Sequence, residues 1–510
     1  MRMLDRRSFL QALAALGVSQ AAPASAQLAE RPRFASDPFT LGVASGYPRP
    51  DGMVLWTRLV GDLGPAAIPV RWEIAEDEGM RRIAASGTAL AEAAWSHSAR
   101  AEPRGLAPDR WYWYRFTAGD VRSPVARTRT APAADAAPRL RFAFASCQQF
   151  EQGWFTAHRL LAAEDFDLVA FLGDYIYESS WGRDHVRKHD AGEPYTLAAY
   201  RARYALYKSD TDLQKSHHAF PWILTWDDHE VDNDYANDRP EDGMPREAFL
   251  ARRAAAYRAF YEHQPLPASM RPSGPDMRIY TTLAWGRTAD FHVVDDRQYR
   301  DPQVCPARAG GSNMVDPAVC TSIADPQRTM LGAAQENWLE RQLAGSGAAW
   351  NILAQQTLMA QLDQKLGPGR RFWTDGWDGY PAARRKLLSF LQEKRIRNPV
   401  VIGGDVHMHW VADLRPDFDD ASSPVVASEF CGTSITSQGP SQKMVDALMS
   451  ESPHMKYGRS DHRGYVRVAI SGGRLNAELV GLETVKKRES RAEVLARFVV
   501  EDGKPGPQRA

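Results

Sequence analysis

Short apolar runs that end abruptly in glycine, carboxylate, thiol or imidazole recur from residue 140 onward, and they constrain the fold more than any other feature of the chain. The runs are Leu140 to Ala145, Leu168 to Leu172, Trp222 to Thr225, Phe291 to Val294, Asn351 to Ala354, Val400 to Ile402 and Val425 to Ala427. Their shortness and their β-branched or aromatic content predict buried strands. Between them, Thr196 to Tyr207, Arg246 to Glu262, Ala334 to Ala344 and Ala382 to Glu393 carry helical periodicity. That alternation predicts an α/β domain over residues 139–485, with buried sheets in αββα layers. Gly464 to Ile470 and Leu475 to Val480 flank Gly472-Gly473 and predict a hairpin. The charge-rich tail, residues 486–510, could form a helix packed on the rest.

Before residue 132 the texture differs. Phe39 to Gly46, Met53 to Leu59, Val70 to Ala75 and Trp111 to Phe116 alternate apolar and polar side chains between Gly, Pro and Asp turns. This predicts a β-sandwich of the immunoglobulin or fibronectin sort over 34–132, joined by a linker from Ala131 to Pro138. A chain of 510 residues is long enough for two such domains. At the start, Asp5-Arg-Arg-Ser-Phe-Leu10 leads into an apolar stretch ending at Val18, then Ala22-Pro-Ala-Ser-Ala26. These residues, 1–26, read as a twin-arginine secretory signal cleaved after Ala26. The stretch is too short to span a bilayer, so the expectation is a protein without a membrane anchor, exported by the twin-arginine machinery to the periplasm or beyond. Lys plus Arg equals Asp plus Glu, 63 against 63, which gives a nucleic-acid partner no electrostatic support. Cys305 and Cys320 bracket a Gly-Gly-Ser-Asn loop; a local disulfide and two free thiols both remain open.

The chemistry gathers where the strands end. Ser146-Cys147-Gln148 follows the first run, Gly173-Asp174 and then Tyr177 the second, Trp226-Asp-Asp-His-Glu-Val-Asp-Asn233 the third, and Gly403-Gly-Asp-Val-His-Met-His409 a fourth. In open α/β sheets the carboxyl ends of strands build the site, so residues distant in sequence can meet there. Each piece alone has an ordinary alternative. Asp227, Asp228 and Glu230 could complement a helix dipole, Cys147 could be an inert buried thiol, and His407 and His409 could be polar contacts that merely share a face. Four such pieces at four strand ends argue together for a metal centre.

Gly173-Asp-Tyr-Ile-Tyr177, Asp227-Asp-His-Glu230 and Gly404-Asp-Val-His407 are similar to the GDxxY, GNH(E/D) and GHxH motifs of metallophosphoesterases, with Asp in place of Asn and His in the last two. With Cys147, Asp296-Arg-Gln-Tyr-Arg300, Ala354-Gln-Gln356 and Asp375-Gly-Trp-Asp-Gly-Tyr-Pro381, the chain resembles the alkaline phosphatase D family over nearly its whole length. The resemblance implies a metal-dependent phosphatase acting on phosphate monoesters and diesters. It implies iron on Cys147, Asp174, Tyr177 and His407, and calcium on Asp174, Asp228, Asn233 and Asp405. Donor chemistry agrees, since thiolate, phenolate and imidazole suit a transition metal and an all-oxygen set suits calcium. Asp232 and Asp234 flank Asn233, so a slip of one residue would exchange them.

Arg297 is the candidate for gripping phosphate, against a surface ion pair with Asp295 or Asp296. His229 is the candidate proton donor. Trp377 and Tyr380 are expected to wall a substrate pocket, with ordinary core aromatics as the alternative. No Gly-x-Ser-x-Gly elbow surrounds Ser146, so no serine nucleophile is expected. Two other functions stay open: a phospholipase D-like phosphodiesterase, which an apolar rim would favour, and a periplasmic phosphate- or metal-binding protein without turnover.

Overall fold

Two sheets face each other across an apolar interior in which Phe142 of one and Phe291 of the other meet edge to face at 5.1 Å. The computed structural model describes residues 32–308 and 310–510, so the twin-arginine segment lies outside the described residues. One sheet has seven strands in the order Thr281–Trp285, Ala289–Val293, Trp350–Ala354, Pro399–Gly403, Ala427–Cys431, His409–Leu414, Met455–Arg459. The four from Ala289–Val293 to Ala427–Cys431 run parallel. In the other sheet, Leu140–Ala145, Leu168–Leu172 and Pro221–Thr225 are parallel neighbours. Helices Gly332–Gly345, Pro381–Glu393 and Gln442–Glu451 bury Leu339, Leu388 and Val445 in a second apolar cluster with the seven-stranded sheet. Leu197–Lys208 and Arg246–His263 bury Tyr204, Tyr257 and Phe260 with the first cluster. The layers are therefore helix, sheet, sheet, helix, and the parallel strands carry their loops to one edge.

Two expectations need correction and a third takes a particular form. The β layers expected over 34–132 are present but do not stand apart from the rest of the chain. Val43–Arg49 pairs in parallel with Pro221–Thr225, and Gly52–Arg58 and Ser98–Ala101 follow, which extends the large sheet to ten strands. Ile68–Ala75, Ile83–Ala91 and Trp111–Ala118 lie in a five-stranded sheet that shares one apolar cluster with those three strands, Leu55 and Val70 among its members. One layer of the N-terminal unit is thus the rim of the catalytic sheet. The tail is not helical either: Ala492–Glu501 and Lys504–Arg509 complete the other end of the same sheet. The run at Val425 starts late, as Ala427–Cys431. Its interruption in the sequence is Glu429, which is buried because its two oxygens accept the backbone N–H groups of Met359 and Ala360 at 2.7 and 2.8 Å.

Candidate metal centre

Four loops leave the strands at this edge, and their backbones turn sharply as they do so. Cys147, Asp174, Asp405 and His407 all have positive φ, between 56° and 65°. Non-glycine residues rarely adopt that region, and where they cluster the surrounding structure must compel them. Here part of the compulsion comes from Glu230. Its carboxylate accepts from the backbone N–H groups of Asp174 (3.1 Å), Tyr175 (2.5 Å) and Asp227 (2.8 Å), so it binds two loops together. Gly173, with φ of 104°, lets them close: a Cβ there would stand 2.5 Å from Cβ of Asp227.

The result is a chain of ligand-type groups. Donor atoms of Cys147, Asp174 and His407 lie within 4.8 Å of one another, and the same holds for Asp227, Asp228 and Asp405, for Asp174, Asp228 and His229, and for Asp228, Asp234 and Asp375. Tyr177 Oη donates to Asp174 Oδ2 at 2.7 Å and stands 3.1 Å from Nε2 of His407. His407 donates its Nδ1–H to the carbonyl of Gln438 at 2.9 Å, which leaves the Nε2 lone pair for the cluster. Burial pulls that imidazole down to about 3, so it is neutral. Burial likewise pushes the Cys147 thiol and the Asp174 carboxyl well up and Asp405 to about 7, although Arg297 opposes it at Asp405. Asp174 Oδ1 and Asp227 Oδ2 are buried with no hydrogen-bond partner. Orphaned buried carboxylate oxygens are rare, and a cation would satisfy them.

Beside the cluster opens a cleft of about 640 Å³ lined by Glu178, Asp228, His229, Asp234, Asp375, Asp405 and His407 among others. Among the described residues, no lysine or arginine lines it. His229 donates Nδ1–H to Glu178 Oε2 at 2.7 Å and lies against the Tyr177 ring, centroids 4.1 Å apart. Burial alone would lower its pKa, but Glu178 and Asp228 raise it well above the usual value, so it is an imidazolium.

A sequence model of the PhoD-like phosphatase family matches residues 142–479, and one of that family's N-terminal domain matches residues 22–132. The chain belongs to the PhoD-like phosphatase family. Alkaline phosphatase D of Bacillus subtilis (strain 168) is 42% identical to it over 525 residues, covering 98% of this chain and 88% of that protein. A solved structure of PhoD matches with a TM-score of 0.89 at 43% identity, over 94% of this chain and 93% of that one. A purple acid phosphatase from yellow lupin shares the fold, with a TM-score of 0.54 at 12% identity over 90% of this chain and 73% of its own.

Membership makes the chain a hydrolase of the phosphatase class and sets aside a binding protein without turnover. Among PhoD-like features, several residues sit elsewhere than their sequence suggests. Arg297 does not reach the cleft: it is wholly buried, its guanidinium donating to Asp227, to Asp375 at 2.6 Å and to Asp405 at 3.5 Å. Its partners are carboxylates, and Asp295 receives only its backbone N–H. Trp377 and Tyr380 are core residues; the indole donates to Gln355 and the phenol to the Asp301 carbonyl. Asn233 lines the cleft, its amide nitrogen donating to Glu241 at 2.8 Å, and Asp234 beside it groups with Asp228 and Asp375. His409 stays out of the cluster, with Nδ1 accepting from the Thr433 N–H. Tyr175 points into the scaffold, where its hydroxyl meets His217 at 2.8 Å. The sequence assigned no role to Asp375 or Glu178, although Asp375 opens the segment Asp375-Gly-Trp, and it offered Asp234 only as the alternative to Asn233. Cys305 and Cys320 are disulfide-bonded; Cys147 and Cys431 are free and buried.

Proposed function

We propose that this enzyme is a metal-dependent hydrolase of phosphate monoesters and diesters, carried by the twin-arginine pathway to the periplasm or the medium. The observation that carries metal dependence is the cleft itself: carboxylates line it and, among the described residues, no lysine or arginine does, so a phosphate anion needs a bound cation to enter. The residues fit two unlike ions. Cys147, Asp174, Tyr177 and His407 would hold iron, and an oxygen set drawn from Asp174, Asp228, Asn233 and Asp405 would hold calcium. When bound, such ions polarise the phosphoryl group and make a water nucleophilic near neutral pH.

The chain's own residues do the rest. Glu178 accepts the Nδ1–H of His229, holding the ring in place and leaving the Nε2–H of the imidazolium to serve the substrate. As the ester P–O bond breaks, the leaving alkoxide takes the imidazolium proton and a water oxygen ends on phosphorus. Arg297 offsets the charge of Asp227, Asp375 and Asp405 and so keeps these carboxylates in place. Lipid-headgroup diesters are a second reading, favoured by Trp181, Tyr195, Met314, Trp373 and Met408 along the cleft, of which Tyr195 is 47% and Trp373 38% exposed.

Metal analysis of the purified protein, with turnover of a chromogenic monoester and a chromogenic diester before and after chelation, tests the reading. Iron together with calcium, and chelator-sensitive hydrolysis of both esters, is the expected result. Zinc alone, or turnover that survives complete metal removal, would reject it.

A further inference from the structure

Arg463 opens the strand Arg463–Ser471 and is buried, yet no carboxylate of the described residues pairs with it. Asp461, two residues away, is engaged with Arg459 and His462, each at 2.7 Å. The guanidinium donates only to neutral oxygens. Nη1 serves the carbonyls of His407 (2.8 Å) and Ser437 (2.5 Å) and the hydroxyl of Ser434 (3.0 Å), and Nη2 serves the Ser460 carbonyl. Arg252, Arg297 and Arg300, buried in the same molecule, each hold a carboxylate. A buried guanidinium stays charged, and leaving it without an anion is costly.

The groups it touches lead to one place. His407 is a member of the ligand cluster. Ser437 places Oγ 2.8 Å from Tyr177 Oη and 2.9 Å from the Cys147 carbonyl. Thr436 and Ser437 both direct their N–H groups at that same carbonyl, at 3.3 Å. Gly439 closes the turn, where a Cβ would stand 2.4 Å from the His407 carbonyl and 3.0 Å from Nη1 of Arg463. The unpaired cation therefore touches His407 directly and is one residue, Ser437, removed from Cys147 and Tyr177. Two of these three must lose a proton to become metal ligands, which puts new negative charge into the interior beside it.

We propose that Arg463 is a positioning residue for the Cys147, Tyr177 and His407 donor set: it clamps the His407 and Ser434–Ser437 backbone and supplies the positive charge that offsets thiolate and phenolate when a transition metal binds. This rests on the metal reading given above. In the loaded protein the arginine gains the anions it lacks, and the ligands gain a counter-charge that is neither metal nor substrate.

The test uses the full chain freed of metal by chelation and titrated with Co²⁺ alone, following the thiolate charge-transfer absorption. Arg463→Gln should weaken Co²⁺ binding by about 10- to 100-fold, the usual cost of losing a partner behind a metal ligand. Arg463→Lys keeps the charge and should bind close to wild type. An Arg463→Gln affinity equal to wild type overturns the proposal. So does a weakening of Arg463→Lys by about 10-fold or more, which is readable even where the glutamine variant fails to fold. Absence of a thiolate band in the wild-type protein sinks the metal reading instead, so the two failures are distinct.

Discussion

The Glu178 carboxylate lies 2.7 Å from Nδ1 of His229, and the imidazole leans on the ring of Tyr177 at an interplanar angle of 33°. A carboxylate, an imidazolium and a candidate ligand are thereby fixed as one unit at the wall of the cleft. If His229 protonates the leaving group, His229→Gln lowers kcat by about 10²–10⁴-fold on alkyl esters. The loss should be much smaller on an aryl ester whose leaving group needs no proton. Equal losses on both esters, measured by steady-state kinetics, would assign His229 to binding.

Tyr177 joins two ligand residues through a single hydroxyl, to Asp174 Oδ2 at 2.7 Å and His407 Nε2 at 3.1 Å. As a phenolate on ferric iron it would colour the protein. Tyr177→Phe is expected to bleach or shift the visible band while the fold persists. An unchanged spectrum removes Tyr177 from the ligand set.

Glu230 gathers three backbone N–H groups from two loops. Glu230→Gln turns one acceptor into a donor facing donors, which costs about 2–4 kcal/mol through unsatisfied buried groups. Thermal unfolding of the metal-free protein should register it, and metal affinity should fall with it because Asp174 and Asp227 ride on those loops.

Gly173→Ala fails for a steric reason. The residue would need φ of 104° and a Cβ 2.5 Å from that of Asp227. The expected loss exceeds about 2 kcal/mol. A melting temperature within a degree or so of wild type would show that the two loops can separate without cost.

His158 sets an acid limit on the fold. It is fully buried, with Nε2 2.7 Å from Gln148 Oε1 and Nδ1 unpartnered, and burial lowers its pKa from 6.5 to about 3. The unfolded chain therefore binds a proton that the folded chain refuses. Its contribution to stability is fully present above about pH 6.5 and is lost at about 1.4 kcal/mol per pH unit as pH falls toward 3. Melting temperatures across that window should fall less steeply in His158→Phe than in wild type.

What the sequence made legible is what lies next to its own strand. Cys147, Asp174, Tyr177, Asp228 and His407 follow apolar runs within a few residues, and parallel strands bring such loops together. Partnerships across the fold were not legible. Arg297 sits beside Asp295 and Asp296 in sequence, but its side chain meets Asp227, 70 positions away. The resemblance pointed to Asn233, and nothing in the sequence showed that Asp234 beside it, turned by a φ of 53°, groups with Asp228 and Asp375. The final strands were hidden by the charged stretch Lys486 to Arg491 and by exposed charges within Ala492–Glu501, as expected where a strand presents one face to water. Alternation before residue 132 made the β layers there legible, but it says nothing about which strand a given edge will pair with.

Ser45 and Gly46 are bound in register to Pro221 and Trp222, a few residues before the Asp227 loop. A protease cut near the linker at 131–138, followed by loss of the N-terminal piece, would bare the open edge of Pro221–Thr225. Exposed edges of that kind invite pairing between molecules. Nicked enzyme is then expected to leave solution as aggregate while every ligand residue is still intact in its chain.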